Sequence, residues 1–364
     1  MVRDPKASPI LFKYENISRN KNDDSKLHHS EDERLLKALY QYGLVLITGT
    51  PSFTDSIPLD VMSEATKNTL ARNSGNDTNE SAESAILNLA SIIGYHPLHT
   101  LYGSGVWSTS SYSSFYNNDV DSGSEEASGA DGSSASTADS AYGSTSLPLH
   151  TDMTYMSTPP GVQIFLMVQP AMLTESQTSN NSNDNETITP MGQSVYLDGF
   201  AAAQQLLLEN PDAFHLLATT PRRFRCIDDE EGWHLEATGP LIETVPSGKN
   251  QWGPVKAIRH NDLDRLPDLP PYHHPDTSDN GVHGDAFYQK LQEAHAAWDD
   301  ILRRDSMRLV LELQPGDCVL VANQRCLHGR YAFETSRYPR VVMGCYVGMD
   351  ELSSKWRSSG LRVL

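Results

Sequence analysis

Residues 147–168 read LPLHTDMTYMSTPPGVQIFLMV. The second half, 161–168, is a short apolar run behind a Pro-Pro turn, the pattern of a buried strand. The first half, LPLHTD, is extended and ends on a histidine and a carboxylate two residues apart. The same grammar returns at 315–330, PGDCVLVANQRCLHGR, where a Pro-Gly turn opens a strand over 317–322 and a histidine follows. A third strand, 341–347, comes directly after Arg340. Strands are also expected at 194–197, 255–259 and 309–313, and helices at 199–208 and 284–304. Upstream, a helix over 31–41 is stopped by Gly43 and followed by a strand at 44–47, with further helices at 60–71 and 83–93. Short strands separated by Gly/Pro turns, with a few helices packed outside, predict a mainly β fold with flanking helices: two antiparallel sheets in a double-stranded β-helix (jelly-roll) core.

Two stretches do not belong to this pattern. Residues 113–145 are rich in Ser, Gly and Asp, and 174–190 in Asn, Ser and Thr; neither has the apolar side chains to recover its ordering entropy. Both read as expanded loops of one domain, because the strand pattern resumes directly after each. The 364 residues carry 28 Lys+Arg against 47 Asp+Glu, a net charge of -19. That balance disfavours nucleic acid, which needs clustered cations, and an anionic membrane surface. No apolar run is long enough to span a bilayer. The four cysteines form no CxxC pair, so neither a zinc knuckle nor a disulfide framework is indicated, and a reducing, intracellular compartment is expected. The N-terminus mixes acids with bases, unlike a transit peptide, and does not decide between cytoplasm and mitochondrion.

His150 and Asp152 stand two apart, which on an extended strand puts both side chains on one face. Alone, such a pair is more often a solvated neighbour pair than a metal site. His328, after a distant strand, supplies a third donor. Two imidazoles and one carboxylate on one face of a metal leave positions open for a co-substrate and oxygen, as in non-haem Fe(II) oxygenases. Arg340 completes the set. An oxo-acid that chelates iron at one end needs its far carboxylate held, and a guanidinium does this with two parallel hydrogen bonds.

With these motifs in order, the chain resembles the Fe(II)/2-oxoglutarate dioxygenases of carnitine biosynthesis, the trimethyllysine and gamma-butyrobetaine dioxygenases of the TauD/TfdA-like group. The matching pieces are YGLVLITG (42–49), GY (94–95), LPLHTDMTYMSTPPGVQ (147–163), VYLDGF (195–200), AIRHN (257–261), NQRCLHGR (323–330) and RVVMGCY (340–346). The resemblance covers roughly residues 35–364, read as the catalytic domain, with 1–34 as an N-terminal extension. It implies His150, Asp152 and His328 as metal ligands, Arg340 as the 2-oxoglutarate anchor, and Fe(II), 2-oxoglutarate and O2 as cofactor and co-substrates, with ascorbate as a reductant. It also implies an aromatic cage for a quaternary ammonium from Tyr102, Trp107, Tyr142 and Tyr346, and Asn261 as a polar group facing the substrate's other end. Cation–π attraction is worth ~1–2 kcal/mol per well-placed, desolvated ring.

The HTDMTY motif is closer to HTDxTY of the trimethyllysine enzymes than to HTDxPY of the butyrobetaine enzymes. Hydroxylation of N6-trimethyllysine at C3 is therefore the expected reaction. Butyrobetaine hydroxylation is the alternative, and a catalytically inactive jelly-roll binding protein is the reading from another class. The chain carries no GxSxG elbow for a hydrolase. The resemblance also implies an N-terminal Cys/His zinc domain that contributes dimer contacts in relatives, whereas this sequence holds no cysteine before Cys226; a homodimer is an expectation from the resemblance alone.

Overall fold

The structure is a computed structural model that describes residues 8–17, 26–54, 67, 80–110, 144–171, 192–229, 232–247, 252–268, 284–333 and 340–363. The chain opens with β1 (Leu11–Lys13), helix α1 (Lys26–Tyr42) and β2 (Leu44–Thr48), followed by α2 (Ala82–Ile93) and β3 (Trp107–Ser110). Next come β4 (Leu147–His150), β5 (Val162–Gln169), β6 (Ser194–Asp198), α3 (Gly199–Glu209) and α4 (Pro211–Thr219). Strands β7 (Arg222–Asp228), β8 (Trp233–Gly239), β9 (Ile242–Thr244) and β10 (Val255–Ile258) precede the long helix α5 (Gly284–Leu302). The chain closes with β11 (Leu309–Leu311), β12 (Cys318–Ala322), β13 (Cys326–Arg330), β14 (Val341–Val347) and α6 (Met349–Ser358).

Six strands form one sheet in the order β1-β2-β12-β5-β14-β3, and four form another, β11-β6-β13-β4. Every pairing in them is antiparallel except β1 with β2. From β4 to β6 and again from β11 to β14 the chain alternates between the two sheets strand by strand. The period of two in the strand sequences explains how the sheets face each other. In β5, β12 and β14, one set of side chains (Ile164, Leu166, Leu320, Met343, Cys345 and neighbours) packs outward under α1, α2 and α6. The alternate set (Met167, Val319, Val321, Val342) packs inward against Tyr196, Leu311 and Cys326 of the smaller sheet. Helices α3, α4 and α5 cover the smaller sheet's other face through Leu197 and Leu327. A fully buried Ile or Leu contributes about 1.5–3 kcal/mol, so an acidic residue at Leu320, which is fully buried, would break the outer layer.

The N-terminal boundary differs from the expectation of an extension over 1–34. Residues 11–13 pair with 46–48, and Phe12, Tyr14 and Ile17 are buried in the outer core. Helix α1 runs through position 34, so the described part of this segment is continuous with the sheet and helix that follow. The expected loops at 113–145 and 174–190 fall, apart from 144–145, outside the described residues, as does the helix at 60–71 apart from residue 67. Gly94 ends α2 as expected, though not in a left-handed turn: a Cβ there would run into the Val347 side chain and lie 2.8 Å from Glu351 Oε2. No helix among the described residues is long and apolar enough to cross a membrane.

Candidate active site

The site lies between the two sheets, where β4 and β13 pair with His150 opposite His328. Inward-facing residues alternate along β13 and β6, so His328 and Arg330 share the cavity with Ser194 and Tyr196. His150 Nε2 lies 3.2 Å and His328 Nε2 3.4 Å from Asp152 Oδ1. One ligand atom from each of the three residues falls within 4.8 Å of the others.

Asp152 reaches this position by a route different from the sequence expectation. Strand β4 ends at His150, and residues 152–155 turn, with Met153 in the left-handed region at φ 54°. Hydrogen bonds to His260 and Asn323 fasten the turn. Thr151 N donates to His260 O at 2.7 Å, and His260 N donates to Thr151 Oγ1 at 3.1 Å. Asn323, fully buried, accepts from Asp152 N at 2.7 Å and donates to Asp152 O at 3.0 Å and Pro160 O at 3.2 Å. The carboxylate thus leaves a backbone that is held on both sides.

The donor set fits a divalent iron. His150 Nδ1 lies 2.8 Å from Pro148 O, which places the proton on Nδ1 and leaves Nε2 as the ligating atom. Asp152 Oδ2 and His328 Nδ1 are buried and have no hydrogen-bond partner among the described residues. Burial alone would push the Asp152 carboxyl up, but the neighbouring His328 and His150 hold it far below the usual carboxylate range. For His150 burial works downward, and the hydrogen bond and charge of Asp152 outweigh it, leaving the imidazole above its ordinary pKa. An anionic carboxylate between two imidazoles is the ligand chemistry of the 2-His-1-carboxylate iron sites.

Arg340 enters the cavity at the start of β14, 7% exposed, between the rings of Phe165 at 5.6 Å and Phe333 at 5.9 Å. Burial, with the charge of Arg330 next in weight, pushes its pKa down to about 9. Arg330 is a lining residue that sequence reasoning missed. Its Nη2 donates to Thr145 O at 2.7 Å, and burial pushes it down to about 10. The signal was available: two residues past His328 on a strand is the same face.

Tyr102, Trp107 and Tyr346 line the same cavity, their ring centroids 6.4, 6.2 and 6.0 Å apart. The Tyr346 hydroxyl accepts from Gln163 Nε2 at 3.2 Å, which fixes that ring. Tyr142 lies outside the described residues. Asn261 departs from its expected place. It does not line the cavity: its Nδ2 donates to Asp264 Oδ2 at 2.9 Å and its Oδ1 accepts from Leu263 N at 3.0 Å, so the carboxamide is engaged within its own turn. Thr154 is also turned away, its hydroxyl donating to the same Asp264 oxygen at 2.8 Å.

Residues 12–346 match the model of the family described as "Taurine catabolism dioxygenase TauD, TfdA family". Trimethyllysine dioxygenase, mitochondrial, of Homo sapiens is 30% identical over 62% of this chain and 45% of its own length. The Gallus gallus protein of the same name is 29% identical over 62% and 46%. Gamma-butyrobetaine dioxygenase of Pseudomonas sp. (strain AK-1) is 30% identical over 59% and 46%. The chain spans about half the length of the curated relatives it matches. Among solved structures, asparagine oxygenase in complex with Fe(II), 3-hydroxyasparagine and succinate superposes with a TM-score of 0.51 at 15% identity, covering 88% of this chain and 80% of that one. A second structure of asparagine oxygenase gives 0.51 at 14%, covering 94% of each. The likeness extends to the fold, mixed helix and sheet.

Proposed function

The chain belongs to the taurine catabolism dioxygenase TauD, TfdA family, and from that premise we propose that it is an Fe(II)- and 2-oxoglutarate-dependent dioxygenase that hydroxylates a small trimethylammonium substrate, N6-trimethyllysine at C3. Strand-by-strand alternation between two facing antiparallel sheets supports reading the core as a double-stranded β-helix. The observation that carries the function is one cavity lined by His150, Asp152 and His328, by Arg340, and by the three rings of Tyr102, Trp107 and Tyr346.

Bound iron supplies dioxygen activation coupled to oxidative decarboxylation of the oxo-acid; the chain's residues decide where that chemistry falls. His150, Asp152 and His328 would hold the iron, and Arg340, which lines the same cavity, would receive the co-substrate. Arg340 offers its fork to the far carboxylate of 2-oxoglutarate, and the low-dielectric wall of Phe165 and Val342 strengthens that ion pair. The three rings hold a quaternary ammonium, which cannot donate a hydrogen bond, within the ~6 Å reach of cation–π attraction. Anchored there, the carbon chain presents one C–H bond to the metal face rather than several. Tyr142, from its place in the sequence, is the fourth ring of this reading. Asn261 enters it as a brace for Asp264 and not as a substrate contact.

The test is 2-oxoglutarate decarboxylation with Fe(II), without amine and with trimethyllysine, butyrobetaine or lysine. Turnover stimulated by trimethyllysine above the other two is expected. Stimulation by butyrobetaine alone would move the assignment to the alternative named by the Pseudomonas relative. Equal stimulation by lysine would refute the cage. No decarboxylation under any condition would leave a binding protein.

A further inference from the structure

We propose that His260, Asp262 and Asp299 form a second divalent-cation site, for an ion of the zinc class, where the 259–264 segment meets helix α5. One ligand atom from each residue falls within 4.8 Å of the others. The independent observation is His260 itself. Its residue is 6% exposed, and its Nδ1 is buried with no hydrogen-bond partner among the described residues. An imidazole nitrogen packed away from water without a partner is costly, and a bound cation is one way such a group is satisfied.

The surroundings are compatible with an ion. Asp262 is 51% and Asp299 35% exposed, so the site opens to solvent on its carboxylate side. Two cations already face the carboxylates, Arg265 Nη1 at 3.7 Å from Asp262 Oδ1 and Arg303 Nη2 at 3.7 Å from Asp299 Oδ2, and the Arg265 charge also acts on Asp299, so a bound ion would displace them. His295, one turn before Asp299 on α5, accepts from Arg222 Nη1 through Nδ1 at 3.3 Å, and Asp268 pairs with Arg222 Nε at 3.4 Å, so both have partners of their own. One imidazole with two carboxylates suits zinc or manganese better than calcium or magnesium, which take all-oxygen shells. Drawing the donors to ligand distance takes movement of the two exposed carboxylates, not of the buried ring. The site also has a mechanical link to the iron ligands. His260 exchanges hydrogen bonds with Thr151, the residue between His150 and Asp152, so an ion that ties His260 to α5 stiffens the turn that presents the carboxylate.

Equilibrium dialysis of the full chain against micromolar zinc chloride tests this. Two equivalents are expected, one held by His150, Asp152 and His328 and one here. Asp262→Asn/Asp299→Asn should lose one equivalent, and Asp152→Ala/His328→Ala should lose the other. Asp262→Asn alone, at an exposed position, should weaken the second equivalent at least tenfold with an unchanged circular dichroism spectrum. Equal zinc binding by the wild type and Asp262→Asn/Asp299→Asn would overturn the proposal, and so would a single equivalent lost entirely in Asp152→Ala/His328→Ala.

Discussion

Asn323→Ala separates the ligand geometry from the stability of the fold. Asn323 makes no contact with the metal face; it holds the Asp152 backbone through an accepted bond at 2.7 Å and a donated bond at 3.0 Å, and ties Pro160 O at 3.2 Å. Removing the carboxamide leaves three backbone groups without partners in a fully buried position. Each such group costs about 1–3 kcal/mol, and allowing for water in the new cavity the sum is about 3–5 kcal/mol. At roughly 2 °C per kcal/mol for a chain of this size, the melting temperature should fall by about 6–10 °C. The second effect is on the metal. Loss of a partner that orients a ligand weakens affinity by about 10–100-fold, measurable by anaerobic calorimetry with Fe(II). Gln324→Ala is the control: Gln324 Nε2 donates to Pro159 O at 2.7 Å, next to the same turn but not to a ligand residue. It should lower the melting temperature by a few degrees and leave iron affinity alone. Iron affinity within twofold of wild type in Asn323→Ala, or an equal loss in Gln324→Ala, would refute the claim that Asn323 sets the carboxylate.

Arg340→Lys keeps the charge but loses the two-pronged geometry, so the KM for 2-oxoglutarate should rise about tenfold (~1.4 kcal/mol) with less effect on the amine; steady-state kinetics varying each substrate in turn decide it. Gly344→Ala would put a Cβ against the Ile164 carbonyl and 2.7 Å from Trp107 Cζ2. It should displace that ring and raise the KM for trimethyllysine more than that for 2-oxoglutarate, while costing about 1–3 kcal/mol of stability. Because the His150 imidazole of the metal-free chain titrates above its ordinary value, protons compete with iron from a correspondingly higher pH. Iron affinity measured by calorimetry should rise with pH until it passes that raised value, and a flat profile would contradict it. Thr154→Val removes the donor to Asp264 and should lower turnover several-fold without changing the ratio of trimethyllysine to butyrobetaine turnover; a changed ratio would mean that Thr154 contacts substrate after all.

Much of the architecture was legible because strand period and burial agree. Residues 341–347 alternate between the outer core and the cavity as their sequence spacing requires, and Gly43, at φ 72°, stops α1 where its sequence says it should. The β7–β8 hairpin was not legible. Arg222, Arg223, Arg225, Asp228 and Glu236 make it look like a polar loop, and Arg222 is buried with partners distant in sequence, Asp268 and His295, to receive it. Here tertiary packing overrides local propensity. The site divides in the same way. The structure brings His150, Asp152, His328 and Arg340 into one cavity, as residue chemistry and order along the chain expect, although Asp152 stands past the end of its strand, in a turn whose next residue, Met153, is left-handed. Arg330 went unread despite its period-two relation to His328.

Asn261 and Thr154 show why a motif letter is not a contact. Both were read from the sequence as bearing on the substrate, and both donate a hydrogen bond to one oxygen of Asp264. Arg259 Nη1 donates to Met156 O at 2.8 Å, and His260 and Thr151 exchange two further bonds. Two segments more than 100 residues apart are thereby stapled over residues 151–156, the turn that carries Asp152. A network of this kind has few low-energy alternatives, because each broken bond strands a partner in a buried site. Thr154 therefore braces the turn that carries Asp152 and does not line the cavity. On the proposed reading, the rings of Tyr102, Trp107 and Tyr346, which line the cavity, are the described elements that would recognise the amine. Exchanging residues between the trimethyllysine and butyrobetaine enzymes at position 154 is therefore expected to alter the turnover rate, and exchange within the rings to alter which amine is accepted.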